Sequence, residues 1–155
     1  MAVNAKALDL WLRFRAENKE FGDDAKYQVW YFGDTPKMAS ELAELVFIGR
    51  KTATGSLAAT NEIRPDEAPV ADGYSVVTDF YGEPICVIRT VEIRHLAFAE
   101  VDAQFAFDEG EGDRSLEYWR SAHKAYFSRE AALLDIEFDD RSIVCCERFI
   151  LLYPK

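Results

Sequence analysis

The run GRKTAT, Gly49 to Thr54, sets an amine and two hydroxyls beside a glycine that can end a helix. Lys51 and Thr54 stand three residues apart, so on an extended or turning backbone their side chains can converge on one pocket. A lysine partly withdrawn from water loses some of its preference for the charged form. It can then take the proton of a threonine hydroxyl, which alone is a weak nucleophile. A carboxylate is needed to position such an amine and to move protons, and the stretch EGEGD (109–113) supplies Glu109 and Glu111. His123 adds a candidate proton carrier or phosphate contact. Trp30, in the run Trp30-Tyr31-Phe32, offers a face on which a base can stack.

Each of these residues also has a plain structural use. Gly49 can cap a helix while Arg50 and Lys51 meet the negative end of its dipole, and the threonine hydroxyls can satisfy nearby backbone groups. Acidic, glycine-containing loops are commonly solvated, and Asp113 or Ser115 can cap the next helix. His123 can be a packing residue, and consecutive aromatics are more often core than ligand contacts.

The elements that must position these groups are legible in outline. Residues 4–20 read as a helix with Leu8, Trp11, Leu12 and Arg15 on one stripe, ended by Phe21-Gly22-Asp23-Asp24. The aromatic run 28–34 is a short strand or a packed loop. Thr35-Pro36 starts a second helix, with Thr as N-cap, Met38, Leu42, Leu45 and Val46 as its buried stripe, and Gly49 as its cap. Residues 55–72 read as a long connection. SVVTDF (75–80) and ICVIRTVEI (85–93) read as two strands about a turn, with Val87, Arg89, Val91 and Ile93 on one face. A helix with Leu116, Trp119, His123, Tyr126 and Phe127 along one stripe follows, then a strand, IVCCERFILLY (143–153). Strands separated by a few helices predict a small α+β domain spanning residues 1–155, a curled sheet with helices at its rim.

A length of 155 residues and an apolar share of 49% suit one compact core. The net charge of −10, with acids and bases interspersed, argues against a protein that coats nucleic acid with a basic surface. One local basic cleft remains compatible with it. The apolar runs are far shorter than the ~20 residues of a membrane helix, and no apolar signal core with a cleavage site is seen near the N-terminus. Cys86, Cys145 and Cys146 are an odd set, two of them vicinal and on opposite faces of a strand, which predicts reduced thiols and a cytoplasmic protein. No CxxC or paired His appears, and EGEGD lacks the ligand spacing of a calcium loop, so neither a metal nor a cofactor is expected.

Four pieces occur in order: W-x-F-G-D (Trp30 to Asp34), G-x-K-T-x-T (Gly49 to Thr54), Gly82-Glu83-Pro84-Ile85-Cys86-Val87-Ile88, and E-G-E-G-D-x-S-L-x-x-W-x-x-x-H (Glu109 to His123). Over roughly residues 28–153 the chain resembles the ASCH domain in its small stand-alone bacterial form, with residues 4–20 as an added helix. The resemblance implies a PUA-like fold, a curled β-sheet or β-barrel with flanking helices and a cleft near G-x-K. It also implies a link to RNA or nucleotides. Some small ASCH proteins are similar to amidohydrolases of N4-acetylcytidine that use a Lys, a Thr three residues later and a Glu. Carried over, these fall on Lys51, Thr54 and Glu109, the last through A-x-x-E from Ala106, with Glu111 as second choice. The chain departs from them in having Gly55 and Ser56 where an Arg tends to follow the Thr. Other ASCH proteins resemble RNA-binding or RNA-cleaving proteins. The expected partner is RNA or a small nucleoside-like ligand, with Arg89 as an anion contact and Trp30, Glu111, His123 and Arg50 completing the binding set. A hydrolase, either amidohydrolase or ribonuclease, and a non-catalytic binding module are the two expectations.

Overall fold

The computed structural model describes residues 4–20 and 25–154. The expected helix end at residues 21–24 therefore lies outside the described residues. Along the chain run α1 (Ala5–Glu17), β1 (Tyr27–Trp30), α2 (Pro36–Phe47), β2 (Ala53–Leu57), α3 (Ala58–Ile63), β3 (Tyr74–Thr78), β4 (Pro84–Ala97), α4 (Ala103–Glu109), α5 (Leu116–Leu134) and β5 (Ile143–Tyr153). Short 3-10 turns lie at Pro65–Glu67 and Phe98–Glu100.

The strands form one mixed sheet in the order β1-β3-β4-β5-β2. The β1–β3 pair is parallel and the other three pairs are antiparallel. The sheet is curled and open, with β1 and β2 as its edges, and its long central strands are apolar toward both faces. In β4, the consecutive residues Cys86, Val87 and Ile88 are all buried. That pattern requires cover on each side. Val87 packs with Leu10, Trp11 and Phe14 of α1. Cys86 and Ile88 pack with Phe32, with Ala43 and Val46 of α2, and with Phe149. A third cluster joins Phe98, Phe105, Trp119 and Phe127 to Leu57 and Val144 at the β2–β5 end.

Thr35 caps α2 as expected, its hydroxyl accepting from the Met38 N–H at 3.1 Å, with Pro36 at the first turn. Its buried line is Ala39, Ala43 and Val46, with Met38, Leu42 and Leu45 half-buried beside it. In α1 the buried face is Ala7, Leu10, Trp11 and Phe14, so the expected stripe is corrected: Leu12 is exposed. Phe14 decides the rotation, because facing inward it meets Tyr74 and Tyr153.

The connection expected over 55–72 instead holds most of β2, all of α3 and a 3-10 turn. β2 has weak strand propensity, and its pairing with β5 overrides that. In β4 the pairing register shifts between Thr90 and Glu92. Val91 therefore drops out of the ladder, and the expected common face of Val87, Arg89, Val91 and Ile93 does not form.

Candidate active site

The end of α2 delivers Lys51. Gly49 sits in the left-handed region at φ +82°. Its N–H donates to Val46 O at 3.0 Å, and the Arg50 N–H donates to Leu45 O at 2.9 Å, the paired bonds of a Schellman cap. The Lys51 N–H also donates to Leu45 O, at 3.0 Å. The chain then locks between two neighbours, Thr52 N–H donating to Asp108 O and Phe149 N–H donating to Thr52 O. β2 follows at once, with Thr54 paired to Glu147 of β5.

The carboxylates arrive from α4. Glu109 is the last residue of that helix and is 1% exposed, so the acidic loop expected at 109–113 begins one residue later, at Gly110, with Gly112 and Asp113 exposed. Gly110 follows with φ +74°, and Arg50 clasps the turn, donating from Nε to Gly110 O at 2.9 Å and from its terminal nitrogen to Gly112 O at 2.8 Å. A Cβ on Gly110 would lie 2.4 Å from Arg50 O. The tight approach turns Glu109 and Glu111 back onto one amine.

Lys51 Nζ donates to Glu109 Oε1 at 3.1 Å and to Glu111 Oε2 at 2.9 Å, and lies 3.4 Å from Glu109 O. It also sits over the Phe32 ring at 5.3 Å. The other Glu109 oxygen accepts from Trp119 Nε1 and from His123 Nε2, the latter at 3.0 Å. His123 stacks on Trp119, with ring centroids 4.3 Å apart, and its Nδ1 lies 2.9 Å from Trp119 O. Both imidazole nitrogens therefore face acceptors, an arrangement that suits the imidazolium. α5 presents this face after its cap at Ser115, and Arg129 of α5 grips Asp34 through two bonds of 2.9 and 3.2 Å.

Burial works against every charge in this cluster, and proximity then decides. For Lys51, burial would favour the neutral amine, but Glu109 and then Glu111 raise its pKa above the ordinary lysine value. The expected loss of charge on Lys51 is corrected: two carboxylates within 3.1 Å keep it an ammonium. For Glu109, burial is outweighed by His123 and by Lys51, which hold the carboxyl well below its usual range. Burial and the neighbouring Glu109 raise Glu111 against the pull of Lys51. His123 is raised, because Glu109 more than offsets its burial. Glu147 is raised by burial, against a hydrogen bond from Thr90 and the field of Lys51.

These groups line a cavity of about 170 Å³ that also takes in Trp30, Thr54, Tyr126 and Glu147. At roughly 30 Å³ per water, that is room for about five waters or one base-sized ring. Lys51, Thr54, Glu109, Glu111, His123 and Trp30 are thus brought together. Arg50 is not part of the lining, since its guanidinium is used on the 110–112 turn. Arg89 is not either: it lies over the Tyr74 ring at 5.3 Å, near Asp72. Its neighbour Ile88 faces α2, and strand alternation turns Arg89 to the other side.

Glu109, Glu111 and His123 offer ligand atoms within 4.8 Å of one another. A cation there would compete with the Lys51 ammonium, which already donates to both carboxylates. Sequence reasoning missed Glu147, although a signal existed. Glu147 and Arg148 are the only charges in IVCCERFILLY, and a charge inside a doubly covered strand needs a partner or a purpose.

A family model described as ASCH domain matches residues 28–153. No curated protein matches the chain. Among solved structures, the crystal structure of an ASCH domain from Lactobacillus crispatus JV V101 superposes with a TM-score of 0.89 at 29% identity, covering 96% of this chain and 95% of that one. Protein EF3133 from Enterococcus faecalis V583 superposes with a TM-score of 0.86 at 28% identity, covering 96% and 89%.

Proposed function

The chain belongs to the ASCH domain family, a family linked to RNA binding, and from that premise we propose that its cavity takes a nucleoside and cleaves an amide on the base. The observation that carries this reading is the buried Lys51–Glu109–Glu111 cluster opening onto a base-sized cavity beside Thr54. In the proposed reaction the Thr54 hydroxyl attacks the acyl carbon. Glu111, whose affinity for a proton is raised, takes the hydroxyl proton and passes it to the leaving amine. Once Glu111 has taken the proton its hold on Lys51 weakens, and the ammonium donor so released stabilises the negative charge that grows on the carbonyl oxygen. Water then releases the acyl group from Thr54.

Charge favours a neutral amide over a phosphodiester. Glu67, Glu109, Glu111 and Glu147 line the cavity against one ammonium and one imidazole. Both cations already serve Glu109. A phosphate would bring a standing negative charge to a site where carboxyls outnumber cations, so amidohydrolase ranks above ribonuclease. The three cysteines are free and buried, in keeping with a reducing cytoplasm. No helix among the described residues is long and apolar enough to cross a membrane.

One observation favours a second reading, a module that binds a base without chemistry. The Lys51 amine already has three oxygens within 3.4 Å, which leaves little donor capacity for a substrate, while Trp30 lies at the cavity for stacking. Turnover assays with N4-acetylcytidine and with short RNA separate the two. The expected result is release of acetate from the nucleoside, abolished in Thr54→Val and lost by about 100-fold or more in Lys51→Ala. Tight binding of the nucleoside with no turnover would hand the site to the binding module.

A further inference from the structure

The amide-cleaving reading gives no task to two carboxyl groups that line the cavity, the exposed Glu67 and the buried Glu147. Glu147 is 5% exposed and sits mid-strand in β5, opposite Thr54 across the β2–β5 ladder. Opposed residues of an antiparallel pair carry their Cβ atoms roughly 5 Å apart on the same face. The attacking hydroxyl and this carboxyl are therefore cross-strand neighbours. From the other side, the buried Thr90 of β4 donates its hydroxyl to Glu147 Oε2. That bond fixes the rotation of the carboxyl group. Oε1 has no hydrogen-bond partner among the described residues, and no lysine or arginine pairs with Glu147 there. Glu109 differs, since both of its oxygens are committed to Lys51, Trp119 and His123.

Glu147 lines the cavity, and its unpartnered oxygen is not among the fully enclosed unsatisfied atoms of the described residues. It is therefore an acceptor that water or a ligand in the cavity can reach, and a ligand that displaces this water must replace its hydrogen bond. A carboxylate only accepts, so it selects a ligand that offers N–H or O–H. We infer that Glu147 Oε1 accepts a hydrogen bond from the N–H of the scissile amide, and so restricts the site to secondary amides of a heterocyclic amine. This inference rests on the amide-cleaving reading and narrows its substrate class. The contact holds the acyl carbon beside Thr54. The bond that breaks joins this carbon to the held nitrogen, which takes its new proton from Glu111, while Glu147 neither gives nor takes one. A tertiary amide, alkylated on that nitrogen, places a methyl group against the carboxylate and leaves it unmatched.

The test is steady-state kinetics on N4-acetylcytidine and on N4-acetyl-N4-methylcytidine, with the melting temperature of every variant. The wild-type protein is expected to prefer the secondary amide by about tenfold or more in kcat/KM. Glu147→Ala should lose that preference by slowing the secondary amide alone. Glu147→Gln should keep most of it, because an amide oxygen can still accept while its nitrogen donates to Thr90. Thr90→Val should lower the preference part-way, and with Glu147→Gln it carries the test if Glu147→Ala does not fold. An unchanged preference in Glu147→Ala, or no preference in the wild type, overturns the inference while amide cleavage stands. A wild-type protein that cleaves neither compound removes the amide reading itself, and this inference with it.

Discussion

At the residue scale, the centre of the site is an alternation of charge, with His123 and Lys51 on either side of Glu109. Its protonation gives a stability prediction. His123 has a folded pKa raised above the free value of 6.5, chiefly by Glu109 acting against burial. A raised group contributes stability that is complete below its unfolded pKa and is lost as pH rises toward its folded one. Unfolding free energy should therefore fall between pH 6.5 and about 9, where thiols begin to titrate, by at most about 1.4 kcal/mol per pH unit. His123→Gln should flatten that slope. Chemical denaturation across the range checks it, and an identical slope in the variant would show that the imidazole is neutral when folded. Most of this cluster was legible beforehand, because Lys51, Thr54, Glu109, Glu111, His123 and Trp30 carry types that chemistry needs. Lys51's charge state was not. Desolvation alone predicts a neutral amine, and only coordinates reveal two carboxylates on one nitrogen.

At the element scale, what matters is how short segments end. The Schellman cap of α2 and the left-handed Gly110 after α4 bring two chain termini of helices together, so that Arg50 and Gly110 touch through their backbones. Gly110→Ala should cost about 2 kcal/mol or more, since a Cβ must avoid Arg50 O and occupy a left-handed backbone. It should also lower turnover more than the loss of folded protein explains, because Glu109 and Glu111 shift with the turn. Urea denaturation and activity per folded molecule measure the two effects. A variant as stable and as active as the parent would mean that the turn does not set the site. Capping signals such as Thr35-Pro36 and Gly49 were readable because their chemistry is local. β2 was not, because Ala-Thr-Gly-Ser-Leu becomes a strand through β5. Glu109 was assigned to a loop for a related reason: α4 spans only seven residues, and its burial depends on Trp119 and Lys51, remote in sequence.

At the scale of the whole molecule, the net charge of −10 and the acid-lined cavity act in the same direction. A ligand's phosphate is repelled at long range by the first and meets the carboxyls of Glu67, Glu109, Glu111 and Glu147 in the second. Acetylated cytidine should therefore bind more tightly than its 5′-monophosphate, and the gap should narrow as salt shortens the reach of the field, about 10 Å at 0.1 M. Calorimetric titration at low and high salt tests this. Tighter binding of the monophosphate that weakens with salt would instead demand a cationic contact. The curvature of the sheet carries its own consequence. Gln28 and Trp30 belong to one edge strand and Thr54 and Ser56 to the opposite edge, yet all four border the same hollow. An occupant there acts as a clasp across the two rims of the sheet. Its grip draws together strands that share no backbone hydrogen bond, so filling a small hollow stiffens the entire curved wall.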